Sequence, residues 1–488
     1  MKLIKSLLLG SAAGLVAVSA SQAADLPTRK GPVAAEYVRV CSITVAGVPV
    51  VGFVLPGSDT CFKISGYITG QIEGGNVRDG NAVSYTGAGV IQGGNPAVPG
   101  PVVSPAQPLV GQRSFQNVTN NFNRDSIGYS TRFNLTMDAV SNTAYGPLVA
   151  HGEYQFQFGA GFDNLNGPTD GSGINRAYVT WAGLTAGRAN SFFSFTGGGY
   201  GYANFFSPDR QGFNQPDLLA YTASFGGGFA ATISLESANV PSFGAQNAGQ
   251  GIFPGSNAGY LGSAAQGGAR IPDIVGALSV HQAWGMAQVS GVAHNVRADS
   301  LLDGTTIDRW GYAIDAGVQF NIPSMPGTQV GVTGAWSRRA TWYSGLLDGM
   351  WGDPLQQVNG NGQGMPLADS FSNGNGTWAT PTAWSITGYA QATVSPTITL
   401  ALEGSYGQIN WNGQTNSSLL SNSRSFIVGG IAHYDPVKNL DFEVELLYQD
   451  TRTDQPSGYV ASGAPGLTSA WQSKSDGFAA RFQVTRNF

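Results

Sequence analysis

Short and long connections alternate strictly along this chain, between segments whose apolar residues repeat with a period of two. The short connections have turn compositions, such as NIPSMPG at 321–327 and DPVKN at 435–439. A soluble β-sandwich has no reason to alternate in this way, whereas a membrane barrel places short turns on one side and long loops on the other. The long connections lie at about 76–125, 160–173, 189–217, 237–271, 295–306, 339–381, 409–423 and 452–474.

The segments between these connections are predicted β-strands because their side chains alternate between apolar and polar. In RFNLTMDA, for example, Phe133, Leu135 and Met137 share one face, and Arg132 and Asp138 lie on the other. The predicted fold is therefore all-β, a 16-stranded antiparallel transmembrane β-barrel with short periplasmic turns and long extracellular loops. The predicted strands begin near Phe62, Ser126, Tyr145, Ile174, Leu184, Leu218, Phe229, Pro272, Gly285, Ile307, Thr328, Thr382, Pro396, Arg424, Leu440 and Ser475.

The chain finishes on one of these alternating segments, RFQVTRNF at 481–488. In hydrocarbon every backbone N–H and C=O group must be paired, so a sheet must close on itself and its last strand must pair with its first. We expect 481–488 to pair with FKISGYITGQIE, which begins at Phe62. Phe488 then closes the barrel at the membrane interface, where aromatic side chains form a girdle.

The first residues indicate export. Lys2 and Lys5 precede an apolar run to about Val18, and Ser21-Gln22-Ala23 fits a cleavage site, so residues 1–23 form a predicted signal peptide. The predicted organisation is completed by an N-terminal periplasmic segment at 24–61 and a transmembrane barrel at 62–488, with 189–217 as a candidate constriction loop. No later apolar run reaches the roughly 18 residues that a spanning helix needs.

The composition excludes an ordinary soluble or nucleic-acid-binding protein. Charged residues make up 11% of the chain, against roughly 25% in typical soluble domains. The formal net charge is −5, which argues against nucleic acid as a partner.

The chain has two cysteines, Cys41 and Cys61, both close to the predicted mature N-terminus. In an oxidising periplasm such a pair is expected to form a disulfide bond. Two free thiols are the alternative. A zinc site is disfavoured because none of the four histidines neighbours the pair.

The predicted inward face is polar on strand after strand, and a barrel of this width leaves an aqueous channel. Nine acids and five bases lie on this inward face. We expect a weak preference for cations and a transverse electric field across the pore. The alternative is that these charges only keep the wall hydrated. The predicted bases are Lys63, Arg132, Arg176, Arg309 and Arg481, and the acids are Glu73, Asp138, Glu153, Glu236, Asp315, Glu403, Asp441, Glu443 and Glu445.

The third long connection is unusually aromatic for an exposed loop: RANSFFSFTGGGYGYANFFSPDRQGFNQPD at 188–217. A loop that folds back into the barrel needs such packing, so we expect it to narrow the channel. Aromatic cover on the barrel rim is the alternative. Its charged groups are Asp209, Arg210 and Asp217, and we place Asp209 and Asp217 opposite Arg132, Arg176 and Arg481 at the constriction.

Signals for an enzyme are weak. The sequence has no HExxH, GxSxG or phosphate-binding GxxxxGK[ST] motif. His151 and Glu153 share a strand face, but no nucleophile accompanies them. We therefore expect no catalysis, no cofactor and no bound metal.

Several stretches resemble the alphaproteobacterial general porins, the family of the Brucella and rhizobial outer-membrane porins. They are EYVRVC at 36–41, PGSDTCFKISGYI at 56–68, DLP after the signal, and the terminal RFQVTRNF. The resemblance implies a homotrimer of sixteen-stranded barrels in Gram-negative outer-membrane lipid, each with a water-filled pore. By position, Cys41 and Cys61 correspond to the family's cysteine pair and 189–217 to its constriction loop. The loop departs from the family pattern because it has few acids.

The expected function is passive diffusion of small hydrophilic solutes and ions across the outer membrane. One alternative is a ligand-specific channel, in which the aromatic third loop provides a sliding surface for sugar rings. A secreted β-rich adhesin or binding protein is the alternative from another class.

Overall fold

Sixteen antiparallel strands make up the wall of the barrel, and we label them β1–β16 in chain order. The computed structural model describes residues 39–55, 57–75, 84–85, 113–114, 127–161, 169–197, 215–237, 264–266, 270–300, 303–346, 369–372, 375–411, 422–454 and 474–488. The wall strands are β1 (Cys61–Gly75), β2 (Ile127–Thr143), β3 (Gly146–Gly161), β4 (Thr169–Trp181), β5 (Leu184–Arg188), β6 (Asp217–Gly226), β7 (Phe229–Glu236), β8 (Asp273–Gln282), β9 (Gly285–Ser300), β10 (Thr306–Asn321), β11 (Gln329–Arg338), β12 (Thr382–Ser395), β13 (Ile398–Asn410), β14 (Ser423–Val437), β15 (Leu440–Thr453) and β16 (Lys474–Asn487).

The sheet closes between β16 and β1, as the sequence predicted. Their antiparallel register runs from Ala479 opposite Gly75 to Asn487 opposite Tyr67. One residue further, the Phe488 N–H donates to the Gly66 carbonyl at 3.0 Å, and the Gly66 N–H donates to the Phe488 carbonyl at 3.1 Å. Closure removes the unpaired edges that a bilayer does not tolerate.

The two faces of the wall differ in polarity because successive side chains point to opposite sides of a strand. On β1, Ile64, Ile68 and Ile72 are exposed on the outer face, while Thr69 and Glu73 are buried on the inner face. The predicted assignment of faces on this strand is confirmed. The same alternation continues around the barrel and gives it an apolar exterior and a polar interior.

Predicted strand positions agree with the structure to within two residues, except for β4. That strand begins at Thr169, five residues before the predicted Ile174. The prediction of a long connection at 295–306 is also wrong, because β9 continues to Ser300 and β10 begins at Thr306. The strands β9 and β10 remain paired as far as Asp299 opposite Thr306, and the Thr306 hydroxyl donates to the Asp299 carboxylate at 2.6 Å.

The N-terminal hairpin consists of strands Val40–Val45 and Val48–Val54. It joins the barrel sheet through two register pairs, Phe53 with Phe62 and Val54 with Cys61. Cys61 is thus the first residue of β1. Cys41 and Cys61 form the predicted disulfide bond, with their Cα atoms 5.7 Å apart. The predicted signal peptide lies outside the described residues.

Replacing Cys41 with serine is expected to free the hairpin and leave the channel intact. The disulfide spans 20 residues of sequence, and the chain-entropy model gives such a bond about 3 kcal/mol. Limited proteolysis should cut the variant between the hairpin and β1, where the disulfide-bonded protein resists. Single-channel conductance should not change, because Cys41 lies in the hairpin and Cys61 is the first residue of β1. Equal protease resistance with and without reductant would contradict this expectation.

Shorter elements lie within the long connections between the wall strands. No helix among the described residues is long and apolar enough to span a bilayer. The short strands are Ser84–Tyr85, Arg113–Ser114, Ala264–Gln266, Phe371–Ser372 and Trp378–Ala379, and a 3₁₀ helix covers Thr341–Ser344.

Candidate channel interior

A polar cavity of about 220 Å³ lies along the inner wall where the barrel closes. Strands β1, β2 and β16 contribute its side chains, and two of them, Arg132 and Arg481, are guanidinium groups. The cavity is lined by Tyr67, Thr69, Gln71, Ser130, Arg132, Arg481, Gln483, Thr485 and Asn487. These side chains offer hydrogen bonds to water and polar solutes, which is the chemistry of a hydrophilic channel wall.

Arg481 forms ion pairs with the neighbouring strand β15. Its Nη2 atom lies 2.8 Å from Glu445 Oε2 and also contacts Glu443 Oε1. All three side chains are fully buried. The predicted transverse field required the bases to lie opposite the acids across the pore. The structure instead pairs this base with acids one strand away.

Two of the other predicted lumen bases, Arg176 and Lys63, also lie beside acids. Arg176 on β4 donates to Glu153 on β3 at 2.5 Å, and this pair faces the interior. Lys63 on β1 lies opposite Asp138 on β2 in the strand register. Arg132 donates from Nη2 to the Gln157 side chain at 2.7 Å. Local pairing of this kind reduces the field that each charge projects into the channel.

The segment Ala189–Gly197 follows β5 and lies inside the barrel. Glu236, at the end of β7, accepts hydrogen bonds from the Ser191 hydroxyl at 2.6 Å and from the Phe192 N–H at 3.1 Å. Charge-assisted hydrogen bonds in a buried setting are among the stronger ones. We call this segment the inner segment.

The inner segment is also fixed to β9 and β10. The Ser290 hydroxyl donates to the Phe193 carbonyl at 2.5 Å, and the Phe195 N–H donates to Asp315 Oδ2 at 3.2 Å. The Phe195 ring packs with Tyr389, Ala401 and Ile431 on β12, β13 and β14. The segment thus bridges strands that lie far apart around the wall.

Two of the predicted constriction charges, Asp209 and Arg210, lie outside the described residues. The structure corrects the third, Asp217. It is exposed at the start of β6 and shares a face with the exposed Leu219 and Tyr221, while Leu218 and Ala220 are buried on the inner face. Asp217 therefore points to the outside of the barrel. The prediction treated it as a loop residue, but β6 begins there and the alternation of the strand decides its direction.

A second segment inside the barrel was not predicted. Tyr343, in the 3₁₀ helix after β11, donates from its hydroxyl to Asp273 Oδ2 on β8 at 2.6 Å. His294 on β9 lies between two carboxylates, with Nδ1 2.7 Å from Asp273 and Nε2 3.2 Å from Asp369. The aromatic stretch TWYS at 341–344 carries the same signal that identified the inner segment, but it is much shorter.

The two segments contact each other. The rings of Phe193 and Tyr343 meet edge to face with their centroids 5.0 Å apart. Burial and the neighbouring Asp273 carboxylate hold the pKa of the Tyr343 hydroxyl well above its ordinary value. The hydroxyl therefore keeps its proton and remains a donor to Asp273. Hydrogen bonds hold this packed group against strands β7–β10 of the inner wall.

A closed sixteen-stranded barrel with an apolar exterior, a polar interior and a loop segment folded inside defines the class of transmembrane diffusion channels. Residues 25–477 match the sequence model of the Porin subfamily, and the chain belongs to this family. The resemblance seen in the sequence is thereby confirmed.

Relatives and solved structures agree with this assignment. Porin Omp2b of Brucella suis is 30% identical over 307 residues, which cover 62% of this chain and 67% of that protein. Porin Omp2b of Brucella abortus (strain 2308) is 29% identical over 309 residues, with the same coverage. The outer membrane channel DcaP of Acinetobacter baumannii has a TM-score of 0.55 at 12% identity, over 90% of this chain and 99% of that one. This last likeness shows the fold.

The family and the barrel together establish an outer-membrane diffusion channel. The secreted adhesin alternative is not supported. Relatives in this family are channels rather than enzymes.

Proposed function

We propose that the inner segment forms the constriction of a passive channel for small hydrophilic solutes and ions. Residues 198–214 of the predicted constriction loop lie outside the described residues. The observation that carries this proposal is the attachment of the segment to the inner wall through Glu236 and Asp315, two acids on strands β7 and β10. A segment fixed at several points inside a barrel narrows the path without closing it. Transport then runs down a gradient, and pore width and wall charge set the selectivity.

Wall charge favours a weak preference for cations. The nine predicted lumen acids outnumber the five predicted lumen bases on the inward-facing positions of the strands. Several of them are deeply buried, including Glu236, Asp315 and Glu403. Ion pairs such as that between Arg176 and Glu153 cancel part of the field, so the preference should be small.

Two of the three phenylalanines of the inner segment argue for general diffusion rather than a sugar-specific path. Phe193 is 3% exposed and Phe195 is 8% exposed, because both rings are packed against the wall and the second segment. A sliding surface for sugar rings needs aromatic faces open to the channel. These two rings of the inner segment are buried by packing and are not open to the channel.

We also propose that the chain assembles as a homotrimer in outer-membrane lipid, as the resemblance to general porins implies. The deciding experiment is single-channel recording of the purified, detergent-extracted protein in a planar bilayer. Large, roughly ohmic steps in groups of three would support a trimer of water-filled pores. Saturable conductance blocked by a sugar would support the ligand-specific alternative. Folded protein without steps would overturn the proposal.

The reversal potential in a salt gradient measures the predicted charge preference. We expect a small value with the sign of cation selectivity, since acids exceed bases on the inner wall. The value should shrink as salt rises, because screening shortens the reach of wall charges to about 10 Å at 0.1 M and less above it. A potential with the sign of anion selectivity would contradict the prediction.

Replacing Asp315 with asparagine should loosen the inner segment. A hydrogen bond to a charged group contributes about 1.5–3 kcal/mol, and Asp315 accepts one from the Phe195 N–H. We expect a noisier open channel with a larger mean conductance. The matched control is Asp308→Asn, which removes the same charge from the same strand at an exposed site paired with Arg270. Equal current noise in the two variants would show that Asp315 does not hold the segment.

A further inference from the structure

Three side chains with metal-binding atoms meet on the inner wall between β14 and β15. His433 lies directly opposite Glu443 in the strand register. Asp441 precedes Glu443 by two residues and so projects from the same face. The turn at Lys438 and Asn439 joins the two strands, so the group lies near the short-turn end of the barrel.

The ligand atoms of this group lie close together. His433 Nδ1 is 2.9 Å from Asp441 Oδ2, and His433 Nε2 is 3.8 Å from Glu443 Oε2. One atom from each residue can be chosen so that all three lie within 4.8 Å of one another. A tetrahedral zinc ion with bonds of about 2.0–2.2 Å separates its ligand atoms by roughly 3.3–3.6 Å. Asp441 and Glu443 approach different nitrogens of the His433 ring, and one ion binds only one of these nitrogens. The side chains must therefore rotate until both carboxylates face the same nitrogen.

The surrounding charge favours a cation. Arg481 contacts Glu443 and Glu445 in the ion pairs described above, whereas the Asp441 carboxylate lies beside His433. A divalent ion would bring positive charge to the carboxylates of Asp441 and Glu443. His433 and Glu443 are almost fully buried, whereas Asp441 is 19% exposed, so an ion would enter from the side of Asp441.

We propose that His433, Asp441 and Glu443 bind a divalent transition-metal ion of the zinc type, with water in the remaining coordination position. One imidazole and two carboxylates suit zinc, which accepts nitrogen and oxygen ligands, better than magnesium, which takes oxygen ligands and retains its water. In the part of the chain that the structure describes, these three residues form the group of His, Cys, Asp or Glu side chains whose ligand atoms lie within 4.8 Å of one another. The site goes beyond diffusion because an ion held in the wall changes the local charge.

The chain contains a matched control. His151 on β3 places Nδ1 2.7 Å from Asp138 on β2, which copies the contact between His433 and Asp441 on another part of the inner wall. Among the described residues, no third ligand atom converges on His151 and Asp138 as Glu443 does on His433 and Asp441. A histidine that only pairs with an aspartate would make the two sites behave alike.

Isothermal titration calorimetry with Zn²⁺ on the detergent-solubilised full chain tests the proposal without any transport measurement. We expect one site per chain, lost in His433→Ala and weakened in Asp441→Asn, and retained in His151→Ala. Heat-modifiable gel mobility would show that each variant is folded. Absorption of the Co²⁺-loaded protein should show visible bands that disappear in His433→Ala.

Three results would overturn the proposal. The first is the absence of Zn²⁺ binding by the folded wild-type protein. The second is the same Zn²⁺ affinity in the His433→Ala and wild-type proteins, which would place any bound ion elsewhere. Added Mg²⁺ should not displace Zn²⁺, and displacement at comparable concentration would indicate a nonspecific acidic site instead.

Discussion

Replacing Gly317 with alanine should raise the single-channel conductance severalfold. Gly317 lies on β10 beneath the ring of Phe195, and a Cβ atom added there would lie 2.3 Å from two ring carbons. Real carbon atoms do not approach so closely, so the ring must leave its position. Overpacking of this kind costs about 1–3 kcal/mol, comparable to the hydrogen bond that Phe195 makes to Asp315. The inner segment should therefore lift from β10 and widen the path.

The control for this variant adds the same methyl group where there is room for it. Gly173 on β4 lies opposite the inward-facing Gln155, and a Cβ atom there meets nothing within 4 Å. Conductance of Gly173→Ala should match the wild type. Heat-modifiable gel mobility should show that both variants fold, because the strand pairing of the wall is not disturbed. An unchanged conductance in Gly317→Ala would show that the inner segment does not limit the pore.

Sequence periodicity was sufficient to predict the barrel because alternation is a local property. Whether Ile64 or Thr69 faces the membrane depends only on counting along one strand, and the strand positions followed from the turns between them. The disulfide bond followed from the oxidising compartment and from the presence of two cysteines. These features need no knowledge of which strand lies beside which.

The partners of the wall charges depend on register and could not be predicted. Arg481 meets Glu445 because β15 and β16 place them opposite each other, and the ion pair to Glu443 is diagonal. The periodicity of each strand allowed any shift of two residues. The expected field across the pore assumed isolated charges, whereas strand register brings acids and bases together on one wall.

Acids on the inner wall also have a role that charge counting does not reveal. Glu236, Asp315 and Asp273 accept hydrogen bonds from segments inside the barrel. Buried backbone N–H groups need acceptors, and a loop folded into a barrel exposes such donors to the wall. Part of the acidic excess therefore holds the interior in place, and selectivity depends on the rest.

Replacing Gly66 with alanine should destabilise closure of the barrel. An added Cβ atom at Gly66 would lie 2.1 Å from the Asn134 carbonyl oxygen on β2 and 2.8 Å from the ring of Phe488. The same glycine exchanges both backbone hydrogen bonds with Phe488, whose ring stacks on Phe133 at a centroid distance of 6.2 Å. The methyl group therefore disturbs the last residue of the chain and the neighbouring strand together.

Replacing Gly70 with alanine on the same strand should have the opposite effect on stability. Gly70 lies four residues further along the same outer face, and a Cβ atom there meets nothing within 4 Å. A glycine-to-alanine change without strain stabilises by about 0.4–1 kcal/mol through the unfolded chain, whereas overpacking costs about 1–3 kcal/mol. Heat-modifiable gel mobility measured against temperature should show Gly66→Ala unfolding below the wild type and Gly70→Ala at or above it. If the two variants unfolded together, Phe488 would not be held at Gly66, and closure would depend on the β1–β16 ladder alone.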